Sequence, residues 1–282
     1  MTAGRFIALA LTAALATAGC GHTRHHAAEL VVGSRAGIQS TLLADVYTGA
    51  LRSYGFPART EQASNPLAKL DSGTFVVVPS LTGRVLQAFQ PGATVRSDAQ
   101  VYKAMIGALP EGIAAGDYTT AAEDKPALAV AESTSKSWGG SDLSALPQHC
   151  DGLVVGSVGG APTPSAVGSC RLPAAREFAD DAKLFAAVKA GEVTAAWTTT
   201  ADPNVPADLV VLTDGKPALV QAENVVPLYR RNELTDRQLL AVNEVAGVLD
   251  TAALVEMRRQ VTAGADPQAV ADAWLNEHPL GR

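Results

Sequence analysis

The run FVVVPS at 75–80 constrains this chain more than any other stretch. A segment apolar at nearly every position has no polar face to turn toward water. It therefore reads as a strand covered on both sides, the habit of a parallel sheet. Its neighbours fit that reading. ELVVG (29–33) and ARTEQ (58–62) read as strands, and 37–56 as a helix whose rows Ile38, Leu42, Val46 and Leu43, Tyr47, Leu51, Tyr54 form one apolar face. Gly55 stands at its C-cap position. PLAKL (66–70), TGRVLQAF (82–89) and AQVYKAMIGAL (99–109) read as further helices. The order βαβαβα predicts an α/β fold on a doubly wound parallel sheet.

The middle of the chain repeats the theme. PALAVAE (126–132), GLVVGSV (152–158), VTAAWTT (193–199) and DLVVLTD (208–214) are expected strands of a second sheet. Helices are expected at 141–147, near 172–178 and at 180–191, the last with Leu184, Phe185 and Val188 inward. NVVPLYRR (224–231) reads as a strand returning to the first sheet, with Pro227 suited to an edge or terminal position because it donates no ladder hydrogen bond. A helical tail follows at 235–248, 250–263 and 267–276, with Thr235 and Asp266-Pro267 as start signals.

The N-terminus has a different character. Arg5 precedes an apolar run from residue 6 to 18 and then Gly19-Cys20, the order of a secretory signal. The run is short of the roughly 20 residues of a spanning helix. Cys20 after Ala18-Gly19 resembles the lipobox of bacterial lipoproteins, in which that cysteine is acylated, although Thr17 stands where leucine is usual. Residues 1–19 are thus expected to be a lipoprotein signal peptide and 20–28 a tether, with cleavage by an ordinary signal peptidase as the alternative. The three tether histidines lack the fixed geometry of a metal site.

Cys150 and Cys170 form an even pair, and in an exported chain a disulfide is the default reading. It would close a glycine- and proline-rich loop and stabilise the fold by about 3 kcal/mol in the chain-entropy model. A metal reading through His149 is the weaker one. With only 5% aromatic residues in a chain that is 47% hydrophobic, the core is expected to be built from alanine and valine. The net charge of −6 argues against a nucleic-acid partner. The chain carries no G-x-S-x-G elbow, H-E-x-x-H pair or phosphate loop. The acidic pair Asp180-Asp181 suits a helix start.

In sequence order, VVGS (31–34), LTG (81–83), ALAV (127–130), KAGEV (189–193), TTTADP (198–203), DLVVLTD (208–214), NVVPLYR (224–230) and ADPQAVADAWL (265–275) resemble the substrate-binding proteins of ABC importers for glycine betaine, choline and related osmoprotectants. The resemblance implies a two-lobed periplasmic-binding-protein-like fold of type II, with the second lobe inserted into the first and a helical C-terminal tail. The first lobe would comprise 29–118 and 214–282, the second 119–213. It further implies a monomer that binds a small solute and hands it to a membrane permease, with no cofactor, no metal and no catalysis. A binding lipoprotein for another neutral solute, or one without a transport role, is the alternative; a lipid-anchored hydrolase ranks below both.

Members of that family commonly hold a quaternary ammonium in an aromatic cage. This chain departs from that pattern, with Leu81 before Thr-Gly, Pro126 before Ala-Leu-Ala-Val, and Ser80 where an acidic residue is usual. The matching positions are the hydroxyls Ser34, Thr82 and Thr199, and the aromatic candidates are Trp197 and Tyr118. Trp197 is weighed equally as a core residue, and Tyr118 and Tyr229 lean toward packing.

Overall fold

The computed structural model describes residues 29–161 and 163–281. The expected signal peptide, Cys20 and the tether lie outside the described residues.

The first part of the chain is β1 (Leu30–Ser34), α1 (Ile38–Ser53), β2 (Ala58–Gln62), α2 (Pro66–Asp71), β3 (Val77–Leu81), α3 (Thr82–Phe89), α4 (Asp98–Ala108) and the short β4 (Ile113–Ala115). Helix α1 starts after Gly37, whose φ of 123° is a conformation that residues with a Cβ rarely adopt. Its apolar rows are buried from Leu42 to Leu51, with Leu42, Val46 and Tyr47 fully inside, whereas Ile38 in the first turn is exposed and Tyr54 packs only partly buried against the core. Helix α2 is capped by the Asn65 side chain and opens with Pro66 at its first turn.

The second part holds β5 (Pro126–Ala131), α5 (Glu132–Ser137), a 3-10 turn (Leu143–Gln148), β6 (Val155–Val158), β7 (Ala166–Val167), β8 (Cys170–Arg171), β9 (Arg176–Phe178), α6 (Asp181–Lys189), β10 (Ala195–Thr199) and β11 (Leu209–Val211). The chain then returns through β12 (Val225–Arg230) and finishes in α7 (Asp236–Val248), α8 (Thr251–Thr262) and α9 (Pro267–Glu277). Thr235 and Gln238 form a reciprocal capping box on α7, and Asp250 and Asp266 cap α8 and α9.

Two five-stranded sheets result. The first has the order β2-β1-β3-β12-β4, the second β11-β5-β10-β6-β9. Each is covered on both faces. Along β3, Val77 and Leu81 enter the core under α1 and α7–α9, while Val78 enters the core under α2–α4. Along β10, Ala195 and Trp197 face one core of the second lobe and Ala196 faces the other. The C-terminal helices complete the first lobe. Gly49 lets α9 approach α1 so closely that a Cβ there would lie 2.4 Å from a Leu275 methyl.

Three expectations need correction. Neither sheet is wholly parallel. β1 is parallel to β2 and β3, but β12 runs antiparallel to both β3 and β4, because the chain re-enters the first lobe from the opposite direction. In the second sheet β5 is antiparallel to β10 and β11. Second, β12 is an interior strand. Its proline is tolerated because Pro227 faces Pro79 across the β3 pairing, and on the other side the Gly116 amide still donates to the Pro227 carbonyl while the Gly116 carbonyl, which the proline cannot serve, accepts from the Tyr102 hydroxyl. Third, no helix forms near 172–178. Pro173 disfavours a helical conformation at Leu172, Leu172 instead donates to Ser165, and 176–178 pair with β6 as β9.

Cys150 and Cys170 are joined by a disulfide that ties the segment after the 3-10 turn to the β7–β8 hairpin.

Candidate functional site

Two strands of chain link the lobes, 116–125 outgoing and 212–224 returning. They pair with each other. Thr119 donates its amide to Val225, Asp124 to Glu223, and Val225 to Ala122, while the Asn224 side-chain amide donates to the Thr119 carbonyl at 3.0 Å. Lys125, almost buried, reaches Glu123 at 3.3 Å and Asp214 at 3.5 Å, so one ammonium bridges both linkers.

Beside this crossover, at the carboxyl ends of β1 and β3, lies a cavity of about 320 Å³. Open α/β sheets bind their ligands at such ends, and the volume falls at the lower end of the roughly 300–1,000 Å³ of small-molecule sites. Arg35 enters it from the β1–α1 turn, and Gln39 and Ser40 from the first turn of α1. Ser80 and Leu81 contribute the end of β3, Arg84 and Val85 the start of α3, and Pro66 and Leu67 an apolar wall from α2. The Gln39 amide nitrogen is buried without a hydrogen-bond partner. Among the described residues the lining contains no carboxylate and no aromatic ring.

The start of α3 is fixed by the returning linker. Thr82 and Asn224 exchange hydrogen bonds, the Thr82 amide donating to the Asn224 carbonyl at 2.9 Å and the Asn224 amide to the Thr82 hydroxyl at 3.1 Å. Glu223 accepts from the Arg84 amide at 2.9 Å, and the Gly83 amide also points at its carboxylate. Burial pushes the Glu223 carboxyl up to about 7, against the pull of those amides and the Arg84 charge. Gly83 is required here, since a Cβ would come within 2.7 Å of the Ala222 carbonyl oxygen.

The residues expected at the site fall around the cavity rather than in its lining. Ser34 is the last residue of β1, 1% exposed, with an unpartnered hydroxyl directly before Arg35. Thr82 is fully buried and occupied with the linker. Tyr118 lies on the outgoing linker, half-buried, with its ring centroid 4.5 Å from that of Tyr102. Thr199 ends β10 opposite Pro126, and its hydroxyl is buried without a partner. Trp197 is 7% exposed and packs with Leu128, Val130, Leu143 and Leu212, which favours the core role of the two weighed for it. Tyr229 packs against the first-lobe core from β12.

Sequence reasoning passed over Arg35, Gln39, Ser40 and Arg84. Their signal was positional, since each stands where a strand hands over to a helix.

The family model for the substrate-binding domain of an ABC-type glycine betaine transport system matches residues 28–277. No curated protein matches the chain. Among solved structures, apo YehZ from Escherichia coli superposes with a TM-score of 0.70 at 18% identity, covering 90% of this chain and 99% of its own. A glycine betaine/carnitine/choline ABC transporter structure gives 0.73 at 14%, covering 88% and 98%. A choline-binding protein of an ABC transporter, solved with choline, gives 0.55 at 18%, covering 89% of each chain. At these identities the likeness carries the two-lobed fold and no more.

Proposed function

Because the chain belongs to the family of substrate-binding domains of ABC-type glycine betaine transport systems, we propose that it captures a betaine- or choline-type osmoprotectant between its lobes. It then presents that solute to a membrane permease. The lobes are 29–118 with 214–282, and 119–213, hinged on the paired linkers. The observation that carries this reading is the cavity at the carboxyl ends of β1 and β3, lined from the first lobe alone and lying beside the crossover. The unpartnered hydroxyl of Ser34 on one sheet and that of Thr199 on the other are additional polar groups for a solute held between the lobes. Tyr118 and Trp197 act through packing in this scheme. The protein works as a monomer, exported and held at the outer face of the membrane through a lipid on Cys20.

A thermal-shift series on the mature protein with glycine betaine, choline, carnitine, amino acids and sugars tests the solute. A ligand at 100 times its Kd adds about 2.7 kcal/mol to stability. Stabilisation by sugars or amino acids with none by any quaternary ammonium compound would move the function to another solute class. For the anchor, Cys20→Ala should abolish palmitate labelling and leave an unprocessed precursor.

A further inference from the structure

The two linkers change allegiance abruptly. On the outgoing one, Ala122 packs in the first-lobe core, Glu123 donates its amide to the Thr251 hydroxyl on α8, and Asp124 donates to the Glu223 carbonyl. The next residue, Lys125, belongs to the second lobe. Its amide donates to the Thr200 hydroxyl at 3.1 Å and its carbonyl accepts the Thr200 amide at 3.0 Å. On the returning linker, the Asp214 carboxylate accepts the Leu219 and Val220 amides, and both of those side chains pack in the second-lobe core. Gln221 then reaches the first lobe, its side-chain amide donating to the Val95 carbonyl at 2.9 Å. Ala222 follows, donating to the Arg96 carbonyl and packing in the core under α2–α4. Each handover falls between two consecutive residues.

The outgoing handover is spanned most directly by one hydroxyl. Thr200 Oγ1 accepts from the Lys125 amide on the second-lobe side and donates to the Glu123 carbonyl on the first-lobe side, each at 3.1 Å. A hydroxyl has one hydrogen to give, so a turn of the backbone between Glu123 and Lys125 breaks or lengthens one of the two bonds. The Ala201 amide on Asp124 and the Lys125 ammonium on Glu123 cross at the same place, each at 3.3 Å. Ala201 itself is buried in the first-lobe core, which seats the turn after β10 there. Among the described residues the cavity is lined from the first lobe alone, so the Thr200 bonds belong to an arrangement in which the second lobe does not yet cover a solute.

Resting on the reading that a solute is captured between the lobes, we infer that the lobes turn at two points, Asp124–Lys125 and Val220–Gln221, and that Thr200 is a positioning residue restraining the turn at the first. Hinges of this kind are a few residues that absorb the backbone change. The assignment moves 119–124 into the first lobe and 214–220 into the second. Lys125 and Asp214, 3.5 Å apart, then tie the two ends of the second lobe to each other. Releasing the Thr200 restraint raises the fraction of molecules in the closed arrangement, and apparent affinity rises with that fraction.

The test is pulsed electron paramagnetic resonance on the mature protein, its disulfide intact, with nitroxide labels in pairs at the exposed Lys103 on α4, Lys183 on α6 and Lys216 on the returning linker. Without any solute, Thr200→Val should shift the distances from 103 to 183 and from 103 to 216, and leave that from 183 to 216 unchanged. Thr200→Ser, which keeps the hydroxyl, should match wild type. In calorimetric titration with glycine betaine, Thr200→Val should bind about threefold tighter or more, despite a lower Tm caused by the unpaired Lys125 amide. A purely structural role for Thr200 would not tighten binding. Unchanged solute-free distances in Thr200→Val overturn the inference, as does a label at 216 that keeps its distance to 103 while its distance to 183 changes. Glycine betaine binding to Thr200→Val no more tightly than to wild type overturns it too. If glycine betaine binds neither form, the osmoprotectant reading falls, and the solute-free distances alone decide the inference.

Discussion

Arg258 on α8 reaches Asp124 on the outgoing linker, Nη1 to Oδ1 at 3.3 Å, and the same oxygen accepts the Ala201 amide from the turn after β10, also at 3.3 Å. Asp124 is 2% exposed, so one carboxylate joins the C-terminal helices, the linker and the second lobe out of water. Removing one member of a buried pair strands the other charge. Arg258→Met is therefore expected to cost about 3 kcal/mol in urea unfolding. The double variant Asp124→Asn/Arg258→Met should recover much of it. A single variant no worse than the double would refute the pairing argument.

Glu223 sets a pH dependence. Its carboxyl is raised from 4.5 to about 7 by burial, so the folded state holds its proton more tightly than the unfolded chain does. The stability from this group is complete below about pH 4.5 and is lost as the pH rises through about 7. Glu223→Gln keeps the acceptor for the Arg84 amide and removes the charge. Its Tm relative to wild type should rise between pH 5 and pH 8. Parallel Tm curves across that range would exclude the effect.

Trp197 belongs to the core of the second lobe, so Trp197→Ala is expected to cost about 3–5 kcal/mol. The protein that remains folded should bind its solute with wild-type affinity. A large loss of affinity at unchanged Tm would instead put the ring against the solute.

The Cys150–Cys170 bridge closes a loop around the β7–β8 hairpin. Its reduction should cost about 3 kcal/mol and act first on the second lobe. Hydrogen exchange should quicken at 150–170 while the amides of α1 stay protected. Equal loosening of both lobes would show that the bridge stabilises more than its own loop.

The parts of the fold that were legible in the sequence are those decided locally. Thr235 with Gln238, and Asp266 with Pro267, announce α7 and α9 within a few residues, and the apolar runs of β3 and β5 need no partner to be seen. The position of β12 between β3 and β4 was not legible, because pairing depends on strands more than a hundred residues upstream. β4 and β9, three residues each, are too short to show a period. At the site, family resemblance led to Ser34 and Thr82, one and two residues short of Arg35 and Arg84. Those arginines pass in a sequence for ordinary surface charge, and only the meeting of two strand ends marks them.

The interior place of β12 also bears on how the polypeptide matures as it emerges from its N-terminus. All strands of the second sheet lie within one unbroken stretch, 126–211, so that half can form as soon as it is available. The first sheet waits. Until 225–230 arrive, β3 has an open edge and β4 has no neighbour at all. The half that begins first in the chain is thus the last to close, its sheet completed only once Val225–Arg230 have been delivered.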